Sequence, residues 1–190
     1  MQGRKSYRNR NLQYKKSQGF GIIEVLIALV ILSIGSLALV RTQIGALQVA
    51  TDAGERSMAA LLLQDMVARI QANSGDAIKG LSSAYLQAGV INNQCLSSAG
   101  NICSGAQMAV HDVGDWNQAI TNAFPAGTAF GLVCLEASPG STSQTCSAAP
   151  ASNPYPVVFT VKIFWKSTAN RGGASYDQSL VTTVEPVLTR

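Results

Sequence analysis

Glu24 is the one carboxylate in an apolar stretch that runs from residue 19 to residue 40. About 20 apolar residues, at 1.5 Å per residue in a helix, cover the roughly 30 Å hydrocarbon core of a bilayer. An ionisable side chain inside such a span costs on the order of a few kcal/mol unless it is paired or reaches an interface. We therefore treat Glu24 as a candidate functional residue.

The residues before this stretch are basic. Residues 1–19 contain no acidic side chain and six cations, Arg4, Lys5, Arg8, Arg10, Lys15 and Lys16. By the positive-inside rule the N-terminus is expected in the cytoplasm and the rest of the chain outside it. A secretory signal would have a shorter apolar region, of about 7–15 residues, followed by a small-residue cleavage site. The run here exits into Val40-Arg41-Thr42 instead, which by itself indicates a permanent single-pass anchor.

The junction carries a more specific pattern, because the basic leader ends at Gly19 and is followed by Phe20, three residues and Glu24. This arrangement resembles the class III signal of type IV pilins and pseudopilins. In that family a prepilin peptidase cuts after the glycine, methylates the new N-terminal residue and leaves the apolar helix attached. The resemblance implies cleavage between Gly19 and Phe20, methylation of Phe20, and Glu24 as the fifth mature residue. Gly21, where a threonine is common, is a departure from the family pattern.

A chemical role for Glu24 follows from that cleavage. A cut before Phe20 creates a protonated amine at a helix N-terminus, where the helix dipole already places positive partial charge in a low-dielectric setting. The Glu24 carboxylate, on a neighbouring subunit or on the same chain, would neutralise this amine, whose charge methylation retains. We expect the pairing to set the axial register between subunits.

The basic character of the chain belongs to its leader. The whole sequence has a net charge of +4, and removal of the six leader cations leaves eight Lys and Arg against ten Asp and Glu, a net charge of −2. Nucleic-acid binding needs cations that cluster on the folded part. Those that remain are isolated in sequence, at Arg41, Arg56, Arg69, Lys79, Lys162, Lys166, Arg171 and Arg190. Charge therefore gives no support to nucleic-acid binding.

Four cysteines lie in the part expected to be exported, where an oxidising compartment favours disulfides. They are Cys95, Cys103, Cys134 and Cys146, and four cysteines allow three pairings. The local pairs, Cys95 with Cys103 and Cys134 with Cys146, are preferred because each closes a short loop. A zinc site is the rival reading, but no Cys-x-x-Cys pair is present and His111 is the single histidine.

Catalytic residues are not evident in the sequence. His111 is next to Asp112 but has no nucleophile at a recognisable spacing, and no phosphate-binding loop is present. Asp112 and Asp115 are more simply explained as residues that start or cap a short helix. We expect no enzyme activity, no cofactor and no metal.

Helical spacing continues beyond the apolar stretch. Leu47, Ala50, Gly54, Met58, Leu62, Met66 and Ile70 recur every three or four residues and predict a core-facing stripe. One helix is expected from Phe20 to about Asn73, roughly 80 Å long, with Asn73-Ser74-Gly75 as its stop. A short helix capped by Asp115, with Trp116, Ala119, Ile120 and Ala123 on one face, is expected to end at Pro125.

Three strands are predicted in the C-terminal half. Residues 156–166 alternate, with Val157, Phe159, Val161, Ile163 and Trp165 on one face and Thr160, Lys162 and Lys166 on the other. Residues 178–188 would form a hairpin with them, and 128–136 a third strand. The prediction is an α+β fold in which a long N-terminal helix packs on a small antiparallel sheet, the arrangement of type IV pilins.

A second resemblance concerns the head. An aspartate before a tryptophan, a short helix that ends in an apolar residue and proline, and a glycine-bearing turn into a strand are similar to the head of the PilV branch of minor pilins. The expected organisation is a leader at 1–19, a transmembrane half-helix at 20–40, an amphipathic half-helix at 41–74 and a periplasmic head at 75–190.

The resemblances imply a structural subunit that helps to initiate or cap a type IV pilus and so supports twitching motility, adhesion or DNA uptake. Its expected location is the inner membrane, with a single pass and a periplasmic head, and then the pilus. Expected partners are the prepilin peptidase, other minor pilins, the major pilin, the inner-membrane platform and a tip adhesin. The alternatives are a minor pseudopilin of type II secretion and a membrane-anchored periplasmic binding module.

Overall fold

The computed structural model describes Gly19, residues 21–91, Cys95 and residues 103–187. Within these residues three α-helices, α1 (Ile22–Ala72), α2 (Ser74–Ala77) and α3 (Gly105–Ala123), precede three strands, β1 (Ala129–Leu135), β2 (Phe159–Trp165) and β3 (Gln178–Val184). Short 3-10 helices lie at Gly80–Ser82, Ala84–Leu86 and Thr168–Asn170. The chain divides into two compact units, Met1–Gly45 and Ala46–Arg190, and α1 contributes residues to both. A long N-terminal helix followed by a small antiparallel sheet confirms the predicted α+β pilin fold.

The sheet has the strand order β1-β2-β3, and both pairings are antiparallel. All three predicted strands are present, and each is shorter than the sequence suggested. Pro156, Val157 and Val158 precede β2 rather than belonging to it, and proline has no N–H to donate to a ladder. Pro186 likewise lies beyond the end of β3, and Leu188, the last residue of that prediction, lies outside the described residues.

In the first unit, α1 has no apolar surroundings. Its described residues up to Ile44 are exposed, including the large side chains Ile22, Ile23, Leu29 and Leu37. This apolar surface is as large as a membrane span requires and finds no cover within the unit.

The core of the second unit forms where α1, α3 and the sheet meet. Its α1 residues are Ala59, Leu63, Met66 and Ile70, each at most 3% exposed. The stripe predicted from sequence is partly wrong, because Leu47 is 68% and Met58 42% exposed. The predicted residues are mostly four positions apart. In a helix with 3.6 residues per turn, each such step rotates the side chain by about 40° around the helix axis, so the residues do not stay on one face. The observed stripe alternates steps of four and three and so stays on one face.

Helix α3 is longer than predicted and starts elsewhere. Ser104 caps it, because its side chain accepts a hydrogen bond from the Gln107 N–H while the Gln107 side chain accepts from the Ser104 N–H. This capping box lies eleven residues before Asp115, which therefore sits inside the helix and caps nothing. The predicted end is close to the observed one, since α3 stops at Ala123, two residues before Pro125.

Gly131 permits a close contact between α3 and the sheet. A Cβ at this position of β1 would lie 2.4 Å from the Trp116 ring and 2.5 Å from Ile120 Cδ1. Trp116 and Ile120 are both fully buried. Only a residue without a side chain lets α3 approach β1 this closely.

Lys162 belongs to the face of β2 opposite that of Val161 and Ile163, and this face is not open to solvent. Its side chain is fully buried, and Nζ lies 2.6 Å from Oε1 of the equally buried Glu136. Every residue of β2 is buried, so this second face of the strand is covered as well. The residues that follow β1 lie over that face, where the carbonyl oxygens of Ser143 and Thr145 accept from Nζ at 3.3 Å.

Glu136 is held in its charged form by these contacts. Burial raises the pKa of a carboxyl, but the hydrogen bonds from the Lys162 ammonium and the Ser147 N–H outweigh burial, so the pKa of Glu136 lies below its ordinary value. The buried pair therefore fixes the loop after β1 against the sheet.

Removing one member of this pair should cost more than removing both. We expect Lys162→Met to lower the free energy of unfolding by about 3–5 kcal/mol, because it leaves the Glu136 charge buried without a partner. The double variant Lys162→Met, Glu136→Leu should recover most of that loss. Urea unfolding of the detergent-solubilised chain, followed by tryptophan fluorescence, measures both. A single variant within 1 kcal/mol of wild type would contradict the buried pair.

Candidate functional site

The first turn of α1 carries the candidate assembly residue. Glu24 is exposed in that turn, and its N–H donates to the Gly21 carbonyl oxygen at 3.0 Å. Gly19 is exposed, and Phe20, the expected new N-terminus, lies outside the described residues. Among the described residues, no ion pair or hydrogen bond engages the Glu24 carboxylate. Its side chain is thus available to a cation from elsewhere.

Within the described residues, α1 is the one helix that is long and apolar enough to cross a membrane, judged by length and composition. Its most apolar window is entirely unburied within the chain. Glu24 therefore lies at the start of the segment that needs either lipid or other helices as its surroundings.

Arg69 connects α1 to α3 in the second unit. Its guanidinium donates to three carboxylates, those of Asp65 at 2.9 Å, Asp112 at 3.3 Å and Asp115 at 2.7 Å. The latter two belong to α3, and Asp112 is buried. Asp112 and Asp115, considered from sequence as capping residues, instead bind the long helix through a shared guanidinium.

Tyr85 lies beneath this cluster. Its hydroxyl is 3.0 Å from both the Arg69 carbonyl oxygen and Asp112 Oδ2, either of which accepts its proton. Burial raises the pKa of Tyr85 well above its ordinary value, and the negative charge of Asp112 raises it further. The tyrosine therefore remains neutral and donates its one proton to an acceptor on α1 or on α3.

Trp116 adds a neutral link at the same seam. Its Nε1–H donates to the Leu62 carbonyl oxygen of α1 at 2.8 Å while its ring fills the core. The sequence predicts that Trp116 shares a helical face with Ile120, but it indicates no role for Arg69 or Tyr85. A signal for Arg69 was available, since Asp65 lies four residues before it on α1.

A second set of contacts attaches the β2–β3 loop to α1. Asp52 accepts from the Thr168 N–H at 2.9 Å and from its hydroxyl at 2.6 Å, and these bonds lower the pKa of Asp52. Glu55 pairs with Arg171 of the same loop. The loop itself is closed by Asp177, which accepts from the Ser167 hydroxyl at 2.6 Å and from the Ser167 N–H at 2.8 Å.

The cysteines are joined as the two local pairs, Cys95 to Cys103 and Cys134 to Cys146. The second bridge ties the residues after β1 to the sheet beside the Lys162–Glu136 pair. His111 is buried within α3. Across the described residues, no group of three or more His, Cys, Asp or Glu side chains is placed to hold a metal ion.

Comparison with known families gives two adjacent matches. Residues 14–40 match the prokaryotic N-terminal methylation motif, which includes Gly19, Phe20 and Glu24. Residues 41–114 match the family described as type IV pilin Tt1218; this range contains all of α1 beyond the apolar stretch and the first half of α3. Neither curated proteins nor solved structures give a match.

Loss of Arg69 should loosen the seam between α1 and α3. We expect Arg69→Ala to lower the free energy of unfolding by about 2–4 kcal/mol, because Asp112 stays buried without its cation. Arg56→Ala, an exposed arginine on the same helix, is the matched control and should change it by less than about 0.5 kcal/mol. Denaturant unfolding of both variants tests this, and equal effects would refute a special role for Arg69.

The β2–β3 loop should loosen in acid. The bonds from Ser167 lower the pKa of Asp177 from 3.8 to about 2. A carboxyl whose folded pKa is depressed contributes stability above its unfolded pKa and loses it as pH falls toward the folded one. The protection of the loop amides, which is their exchange rate relative to the intrinsic rate at each pH, should therefore fall between about pH 4 and pH 2. Asp177→Asn should already exchange fast at neutral pH and should lose this pH dependence; a wild-type profile in that variant would contradict the assignment.

Proposed function

We propose that this chain, which carries a type IV pilin domain behind a prokaryotic N-terminal methylation motif, is a minor pilin of the PilV type. It would act as a structural subunit that helps to initiate or cap a type IV pilus. The observation that carries the proposal is the continuity of the two matches, since residues 14–40 fit the processing signal and residues 41–114 fit the pilin family directly after it. A pilin domain has an assembly role rather than a catalytic one.

The geometry of α1 supports this role. Its exposed apolar residues need lipid before assembly and neighbouring helices after it. The Arg69 cluster and Trp116 hold the other part of α1 against α3. One continuous helix therefore belongs both to the apolar segment and to the folded head, as a subunit that enters a filament by its helix requires.

The first turn would provide the specificity of docking. Cleavage after Gly19 would release a methylated Phe20 amine, and the exposed Glu24 carboxylate of a neighbouring subunit would pair with it. Since no described residue of the same chain engages Glu24, this pairing is free to form between chains. The partners would be the prepilin peptidase, other minor pilins, the major pilin, the inner-membrane platform and a tip adhesin.

Two other functions fit parts of the chain. A type II secretion pseudopilin shares the processing signal, and deletion separates it from a pilin: loss of surface pili indicates a pilin, whereas loss of exoprotein secretion indicates a pseudopilin. A membrane-anchored binding module would keep its leader. N-terminal sequencing in cells with and without prepilin peptidase decides this point, because an uncut chain would refute both pilin functions.

Glu24 should be needed for assembly and dispensable for cleavage. We expect Glu24→Val to be cut after Gly19 as wild type is, yet to enter sheared pili at roughly a tenth of the wild-type level or less, since an unpaired amine would be left in a low-dielectric setting. Glu24→Asp, which keeps the charge, should retain more assembly than Glu24→Val. Immunoblots of sheared and cell-bound fractions measure this, and normal assembly of Glu24→Val would remove the pairing.

A further inference from the structure

The free edge of β3 differs from the rest of the sheet. β3 pairs with β2 on one side, and no described element pairs with its other side. The opposite outer strand, β1, is mostly buried, whereas most residues of β3 are exposed or half-buried. β3 also lacks the lysine, proline or bulge that natural proteins use to protect an exposed edge.

The ladder shows which β3 residues point outward. The Lys166 N–H donates to the Thr128 carbonyl oxygen, so these two residues form a hydrogen-bonded pair. Every second pair along the β1–β2 register, counted from this one, is hydrogen-bonded as well. In an antiparallel sheet the central strand alternates its bonds between its two neighbours, so Phe159, Val161, Ile163 and Trp165 bond to β3. Their partners in β3 are Val184, Thr182, Leu180 and Gln178.

The alternate residues of β3, Ser179, Val181 and Thr183, therefore direct their N–H and C=O groups away from the sheet. Among the described residues, no hydrogen bond reaches these three donors or three acceptors. They form a regularly spaced row whose spacing only another extended backbone matches.

A groove runs beside this row. It has a volume of about 400 Å³ and lies between β3 and the part of α1 from Ala60 to Gln71. Leu63, Val67 and Leu180 supply its apolar wall, and none of its lining residues is charged. A charged side chain would lose its hydration here without gaining a counter-charge, so the groove selects against charged occupants.

We propose that the β3 edge and this groove form a docking site for an uncharged extended segment of a different polypeptide. The segment adds to the sheet as a fourth strand beside β3. Its backbone bonds to Ser179, Val181 and Thr183, and alternate side chains enter the groove against Leu63 and Val67. Backbone pairing provides affinity, and the uncharged groove provides selection.

A photoreactive residue in the groove tests the proposal in living cells. Gln64→p-benzoylphenylalanine places the probe at an exposed groove position, and Gln118→p-benzoylphenylalanine, exposed on α3, is the matched control. The full chain is expressed in its own cells, irradiated, and cross-linked peptides are identified by mass spectrometry. We expect position 64, and not position 118, to capture a peptide of another protein with about five or more consecutive uncharged residues.

Two further variants separate strand addition from incidental contact. Val181→Pro removes an outward N–H and leaves the β2 ladder intact, so the cross-link at position 64 should fall about tenfold, whereas Val181→Ala should retain it. Ala68→Arg puts a charge into the groove from an exposed helical position and should also abolish the cross-link, even if the proline variant proves unstable.

Several results would overturn the proposal. These are the absence of a cross-link at position 64, capture of lipid, capture of a second copy of this chain, or a yield that neither Val181→Pro nor Ala68→Arg reduces. A chain that is cleaved after Gly19 and assembles, but gives no cross-link at position 64, refutes this inference and leaves the proposed function standing.

Discussion

The attachment of α1 to the head by Arg69 is the interaction on which the rest of the second unit depends. A helix with a single buried stripe of Ala59, Leu63, Met66 and Ile70 would be free to rotate or slide against a purely apolar surface. Two carboxylates of α3, Asp112 and Asp115, bind the Arg69 guanidinium at fixed distances and directions and remove that freedom. The polar contacts therefore fix the position of α1 against α3, and the apolar area buried beside them provides most of the stability of this contact.

On the face of the sheet that the loop after β1 covers, polar and covalent contacts again fix the position of a segment. The buried Lys162–Glu136 pair and the Cys134–Cys146 bridge hold the loop after β1 where apolar side chains are few. A long polar loop has little hydrophobic driving force of its own, so a covalent bond and a paired charge take its place. This loop covers one face of the sheet and leaves the β3 edge open. The head therefore combines a closed interior with one accessible strand.

The expected filament role depends on a contrast between the two units. The head satisfies nearly all of its buried groups internally, whereas the apolar part of α1 and the Glu24 carboxylate are satisfied by nothing within the described chain. A stable head joined to a helix with exposed apolar surface is suited to assembly. The apolar surface and the carboxylate that folding leaves exposed can still be buried and paired when subunits associate. The exposed β3 edge likewise has backbone N–H and C=O groups that folding leaves unpaired and that association can pair.

The sequence by itself determined the apolar span, the position of Glu24, the three strands, and the α+β order of the elements, since each depends on local periodicity or on a short motif. Only the tertiary structure decided that Asp112 and Asp115 bind Arg69, that Lys162 is buried and that α3 begins at Ser104. A charged residue looks solvent-facing in a sequence because its partner can lie far along the chain, 46 residues away for Arg69 and Asp115. Burial of charge is a property of pairs, and pairs form only when the chain has folded.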